Sequence, residues 1–207
     1  MIDIQNDFLP GGALEVKEGD RIIPVVNQLI KRFKLVVATK DWHPADHKSF
    51  ASNHEGSHVG DIIKLKGLDQ ILWPDHCIQG TSGAEFSEGL NAGIVSKIFI
   101  KGTDPDIDSY SGFFDNGHLR STGLSLYLRS QHVDEVYIVG LATDYCVKYT
   151  ALDSIQEGFK TFVIVDGTRA VNLQSGDYDK ALKEMENAGV KILTSKGLFQ
   201  GDDRLRD

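Results

Sequence analysis

The chain has 207 residues, 41% hydrophobic and 25% charged, the composition of an ordinary globular domain rather than of a disordered, collagen-like or coiled-coil chain. Its 22 lysines and arginines against 30 aspartates and glutamates leave a net charge of −8, which argues against nucleic acid and anionic membrane as main partners while permitting a small molecule in a local pocket. No apolar run is long enough to span a bilayer, no secretory leader pattern opens the sequence, and the two cysteines, Cys77 and Cys146, make no disulfide framework, so the expected location is cytoplasmic.

Residues 2–4, with only Met1 before them, read as a short first strand. Asp20 reads as an N-cap, Pro24 suits a first helical turn, and Ile22, Val25, Val26, Leu29 and Ile30 continue a helical stripe to Phe33. Residues 34–39 (K-L-V-V-A-T) form a second strand. From 41 to 83 periodicity fades, yet this stretch holds five of the seven histidines, both tryptophans and Cys77; so long an irregular segment in a compact domain is usually functional. Strands follow at 97–101, 135–140, 161–166 and 191–194, and helices at 121–132, 144–159 and 178–187, with Gly189 as a C-cap signal. Near-continuous apolar strands alternating with helices predict one doubly wound α/β domain over 1–207, with ligands beyond the carboxyl ends of the strands.

Chemistry-bearing residues collect at those ends. Asp3 and Asp7 close the first strand, where burial would raise a carboxylate toward a useful base, although either could simply cap a turn. Asp41 and His43 follow the second strand in D-W-H, and alternate residues of an extended chain face one way, so both can share a cation. His47, His54, His58 and His76 are candidates to complete such a set, which suits zinc, iron or manganese. Lys101 ends the 97–101 strand, placed to orient a carboxylate and lower a neighbouring thiol. Cys146 opens a helix after G-L-A-T-D-Y, a setting that favours thiolate and supplies N–H groups for an oxyanion. Cys77, beside His76, ranks below it as nucleophile.

Taken in order, these motifs resemble the nicotinamidase branch of the isochorismatase-like cysteine hydrolases: D-I-Q-N-D-F-L-P-G-G-A-L, T-K-D-W-H-P-A-D-H, W-P-D-H-C-I-Q-G-T-S-G, K-G-T-D-P-D-I-D-S-Y-S-G-F and G-L-A-T-D-Y-C-V. The resemblance implies Asp3, Lys101 and Cys146 as the catalytic group and Asp41, His43 and His76 as metal ligands. His47 is a ligand in some relatives only, and Tyr145 stands where some carry histidine. It implies a three-layer α/β/α fold on a six-stranded parallel sheet of order 3-2-1-4-5-6. It also implies a cis peptide before Ala142 that turns the Ala142 and Cys146 amides toward the oxyanion. The implied reaction is hydrolysis of nicotinamide to nicotinate and ammonia, a step of NAD salvage. One divalent ion, zinc before iron or manganese, would take the ring nitrogen, and Phe8, Trp73 and Tyr110 would wall a flat ring. The expected partner is that small substrate, not nucleic acid or membrane, and self-association is left open. The rivals are another hydrolase of the same fold, a zinc hydrolase using metal-bound water with Cys146 structural, and a non-catalytic binding protein.

Overall fold

The computed structural model describes residues 1–201, with side chains through residue 198. Its elements are α1 (Ile22–Leu29), β1 (Val37–Asp41), β2 (Ile62–Leu65), β3 (Leu68–Ile71), β4 (Lys97–Lys101), α2 (Leu124–Ser130), β5 (Glu135–Leu141), α3 (Lys148–Gln156), β6 (Lys160–Arg169), α4 (Asp177–Asn187), β7 (Lys191–Leu193) and α5 (Ser195–Gly201). β1 pairs β4 in parallel, and β5, β6 and β7 pair in parallel in that order. Between the two groups runs the start of the chain. Thr39 N–H donates to the Met1 carbonyl at 2.9 Å, Ile2 N–H to Val139 at 2.8 Å, and Leu141 N–H to Ile2 at 2.9 Å. Gly140 makes that approach possible: at φ +126° it has no Cβ, and one placed there would lie 2.0 Å from the Ile2 carbonyl oxygen.

The alternation of strand side chains sorts the core into two layers. Val139 and Ile164 join Ile22, Val26 and Leu29 of α1 on one face. Their neighbours Ile138 and Val163 join Val147, Ala151 and Met185, from the α3 and α4 side, on the other. Strands covered on both faces are why these segments read as continuous apolar runs. Each fully buried Val, Leu or Ile contributes roughly 1.5–3 kcal/mol relative to exposure. Phe99, Phe113 and Phe159 pack with Leu124 and Leu128 of α2 in a further cluster.

Three expectations shift. The second strand starts at Val37 and runs on to Asp41, so the D-W-H carboxylate belongs to the strand itself. The 121–132 helix shortens to α2, preceded by Gly123 at φ +86°. Segment 41–83, expected to be irregular, contains the antiparallel hairpin β2–β3. Of its eight residues only Leu65 and Gln70 are buried, so the hairpin carries little apolar alternation to read. No helix among the described residues is long and apolar enough to cross a membrane.

Candidate active site

The parallel register of β1 and β4 sets Asp41 opposite Lys101. Asp3 reaches the same point from the start of the chain, with φ +46°, and accepts the Thr39 hydroxyl at 2.6 Å. The Lys101 ammonium lies 2.9 Å from Asp3 Oδ2, donates to Asp41 Oδ1 and to the Ser109 carbonyl, and stands 3.4 Å from Cys146 Sγ. Asp3, Lys101 and Cys146 are all buried. A lone buried ammonium would be very costly; two carboxylates and a carbonyl offset its desolvation. Donor atoms of Asp3, Asp41 and Cys146 fall within 4.8 Å of one another, so the base expected at the first strand meets the nucleophile expected 143 positions later (146 − 3).

Cys146 sits in the π-helical turn Thr143–Val147 that leads into α3. The peptide between Leu141 and Ala142 is cis, as expected, and Ala142 lines the same cavity as Cys146. Burial raises the Asp3 carboxyl, Lys101 pulls it down, and Asp41 pushes it up again; the outcome is a raised pKa. Burial also raises the Cys146 thiol well above its ordinary range, with Lys101 opposing and three carboxylates reinforcing. Lys101 thus favours the thiolate, as expected, but burial outweighs it, so attack needs the proton passed to a base, and the neighbouring Asp3 carboxylate has its affinity for protons increased.

Asp41 Oδ2 lies 3.7 Å from His43 Nε2 and 3.9 Å from His76 Nε2. His43 Nδ1 bonds the Gly102 carbonyl at 2.9 Å, and His76 Nδ1 bonds the Pro74 carbonyl at 2.8 Å. A carbonyl only accepts, so both Nδ1 atoms carry the proton and both Nε2 lone pairs are free to bind. One carboxylate and two such imidazoles fit a divalent zinc, iron or manganese ion. Gly102 cradles the first ring: at φ +66° it lacks the Cβ that would lie 2.3 Å from His43 Cε1. Burial and then the His43 charge hold His76 down at about 4. For His43, burial acts downward but the adjoining Asp41 carboxylate outweighs it and raises the ring. Burial pushes Asp41 up, yet Lys101 and His43 together pull it far below the usual carboxylate range.

Sequence reading missed the groups that hold these ligands. Gln5 Nε2 donates to the Asp41 carbonyl at 2.8 Å and to Ala84 at 2.9 Å, while its Oε1 accepts the Asp41 N–H at 2.8 Å. Asp7 stands apart from the Asp3–Lys101–Cys146 cluster: it accepts the Cys77 N–H at 2.7 Å and so braces the turn bearing His76. His54 bonds the Lys48 carbonyl, and His58 is exposed beside Asp61, so neither joins the ligand set. His47 packs against His43, ring centres 4.5 Å apart. Cys77 is buried in the core with its thiol pushed far up by burial, unsuited to attack.

Cys146 opens onto a cavity of about 30 Å³ walled by all three expected residues, Phe8, Trp73 and Tyr110. Tyr145 meets Trp73 edge to face at 4.9 Å and Tyr110 at 5.5 Å. The Trp73 indole N–H donates to the Tyr110 hydroxyl at 3.2 Å, fixing two walls against each other. Leu14, Asp108, Tyr145 and Val171 also line the cavity. Tyr145 and Asp108 lie one and two positions from residues already singled out, a signal that was available; Leu14 and Val171 carry none.

Residues 1–197 match the isochorismatase domain. The nicotinamidase of Escherichia coli is 48% identical over 198 residues, covering 94% of this chain and 92% of that protein. A solved structure of Acinetobacter baumanii nicotinamidase/pyrazinamidase superposes with a TM-score of 0.93 at 47% identity, covering 95% of each chain. A Pyrococcus horikoshii pyrazinamidase, solved in complex with zinc, is 41% identical with a TM-score of 0.76, covering 94% of this chain and 96% of its own.

Proposed function

The chain belongs to the isochorismatase family, and from that premise we propose that it is a nicotinamidase, hydrolysing nicotinamide to nicotinate and ammonia. The carrying observation is that Asp3, Lys101 and Cys146 converge beside Asp41, His43 and His76 at one aromatic-walled cavity. Asp3 takes the Cys146 proton as Sγ bonds the carboxamide carbon, and the Ala142 and Cys146 amides receive the oxyanion. Asp3 returns that proton to the nitrogen, and ammonia leaves as the thioester forms. A water then gives a proton to Asp3 and adds to the thioester carbon. Collapse frees nicotinic acid, which ionises to nicotinate, and restores the Cys146 thiol with the proton from Asp3. Throughout, Lys101 holds Asp3 in place and favours its ionised form.

One divalent ion on Asp41, His43 and His76 supplies an anchor for the pyridine nitrogen when bound. Zinc is the first choice, supported by the zinc of the Pyrococcus relative, with iron or manganese as alternatives. Phe8, Trp73 and Tyr110 clasp the ring faces and edges. Every group named comes from one chain, so the site does not require a homo-oligomer. We read the start of the chain, expected as a strand over residues 2–4, as a short central strand around Ile2 uniting β4–β1 with β5–β6–β7, giving the six-strand order 3-2-1-4-5-6; the hydrogen bonds of Met1 and Ile2 to both sides support it. A single cytoplasmic domain acting in NAD salvage fits this reading.

The test is ammonia release from nicotinamide by purified protein, with and without a chelator. Turnover that the chelator suppresses is expected; no release from the metal-loaded protein would sink the proposal. Benzamide, which lacks the ring nitrogen, should lose mainly binding. Its cleavage as readily as nicotinamide by a Cys146→Ala protein would favour a metal-bound water as nucleophile instead.

A further inference from the structure

His47 and Asp108 are buried ionisable residues that the mechanism above does not use, and they adjoin the metal-binding group. A donor atom from each of His43, His47 and Asp108 lies within 4.8 Å of the other two. The three histidines differ in what they meet at Nδ1. His43 and His76 face carbonyl oxygens there. His47 Nδ1 instead accepts the Ser49 backbone N–H at 3.1 Å and lies 2.7 Å from the Ser49 hydroxyl. A backbone N–H can only donate, so His47 Nδ1 is unprotonated and the proton of the neutral ring sits on Nε2. A protonated nitrogen has no lone pair for a metal, which separates His47 from the two ligand histidines.

That His47 Nε2–H is buried and makes no hydrogen bond of accepted geometry, although the Ile107 backbone is close enough to act on the ring. An orphaned buried donor is costly unless something polar meets it. Asp108 offers the complementary group. Its Oδ1 accepts the Ser109 N–H at 2.7 Å, and its Oδ2 accepts the Gln70 amide at 3.1 Å. Each carboxylate oxygen can accept a further bond, and Asp108 lines the cavity.

We propose that His47 and Asp108 form an outer-sphere pair for the Asp41–His43–His76 site, His47 Nε2–H donating to, and Asp108 accepting from, a water that completes the coordination of the ion. The pair positions that water and is not itself bonded to the metal. This rests on the reading of Asp41, His43 and His76 as ligands, and the test separates the two.

X-ray absorption on the zinc-loaded wild-type protein counts its imidazole ligands, and chelator competition gives the zinc affinity of each variant. Two imidazoles are expected. His47→Gln keeps an N–H near the Nε2 position and should hold affinity within about threefold. His47→Leu and Asp108→Asn should weaken it by about 10- to 100-fold, the usual scale for such partners, and should shift the visible spectrum of the cobalt-substituted protein. Three imidazoles in the wild type, or His47→Gln losing as much affinity as His43→Ala, would overturn the pair. So would unchanged affinity in both His47→Leu and Asp108→Asn, while leaving the ligand set intact. Zinc affinity unaffected by His43→Ala would overturn the ligand set as well. A wild-type count of three imidazoles would overturn the pair even if a variant fails to fold.

Discussion

Two cavities lie at opposite ends of the parallel strands. The one at the amino ends encloses about 200 Å³ and is lined by Leu29, Ile30, Phe33, Val36, Leu128 and Val133 among others, apolar apart from Glu135 and the Tyr137 hydroxyl. The one at the carboxyl ends encloses about 30 Å³ and is bordered by Asp41, His76, Asp108 and Cys146. Of these two, the first is much the larger. What marks the second is the density of buried ionisable groups, each tolerable only because a neighbour offsets its desolvation. An apolar hollow between elements is a packing defect until something polar converges on it.

The sharpest way to break this contrast is at the sulfur. Cys146→Ala should reduce turnover by about 10⁴-fold or more while the fold survives, because the other cysteine, Cys77, is buried in the core and does not line the cavity. Cys77→Ala should keep most activity. Mass measurement of substrate-treated protein should find the acyl adduct only when Cys146 is present; an adduct on Cys77 would reverse the assignment.

A backbone change tests the metal side without touching a ligand. Gly102→Ala places a methyl group against the His43 ring and strains a positive φ, so the ring must turn away. Zinc affinity should fall by about 10- to 100-fold, as when a supporting shell is lost. Unaltered binding would mean that His43 does not hold the ion.

Acid probes the same side. Ion binding needs a neutral His43, and Asp41 raises the pKa of that ring above 6.5 in the ion-free protein. Affinity is therefore full above that raised pKa and declines below it, by up to about tenfold per pH unit as protons compete. Competition with a chelator between about pH 8 and pH 5 reads the slope; a flat profile would remove His43 from the set.

The smallest effect belongs to the amino-end cavity. Val36→Ile adds one methylene where there is room and should stabilise the protein by about 0.5–1 kcal/mol at most, with kcat within about twofold. A large loss of turnover would show that the two ends communicate.

Sequence and structure agree best where the chemistry is densest. Asp3 and Lys101 stand at the ends of apolar runs and Cys146 at a helix start, which marked each as a candidate; the resemblance of the motifs is what grouped them and preferred Asp3 to Asp7. The choice of His76 over His54 and His58 was not readable from spacing, since it depends on where the 44–76 loop folds back. Nor was the hairpin β2–β3, whose exposed faces leave no alternation, although it delivers the buried Gln70 to Asp108 and Tyr110. The bonding of His47 depends on one backbone N–H at Ser49, and no residue pattern encodes that. The upward push on the Cys146 thiol was hidden for a related reason: a helix start and a lysine are visible in sequence, whereas desolvation and three surrounding carboxylates are not.

The clasp of Gln5 on Asp41 has a counterpart two positions earlier, where Asp3 takes the Thr39 hydroxyl. Residues 3 and 5 thus mesh with residues 39 and 41 like successive teeth of one gear. The proton acceptor and the carboxylate that would grip the ion are kept in phase by a single alignment of two segments. A one-residue insertion between Met1 and Asp3 would carry both out of phase together. Proton transfer and anchoring of the ring would then fail as a unit, so partial function would be hard to recover by adjusting either half alone.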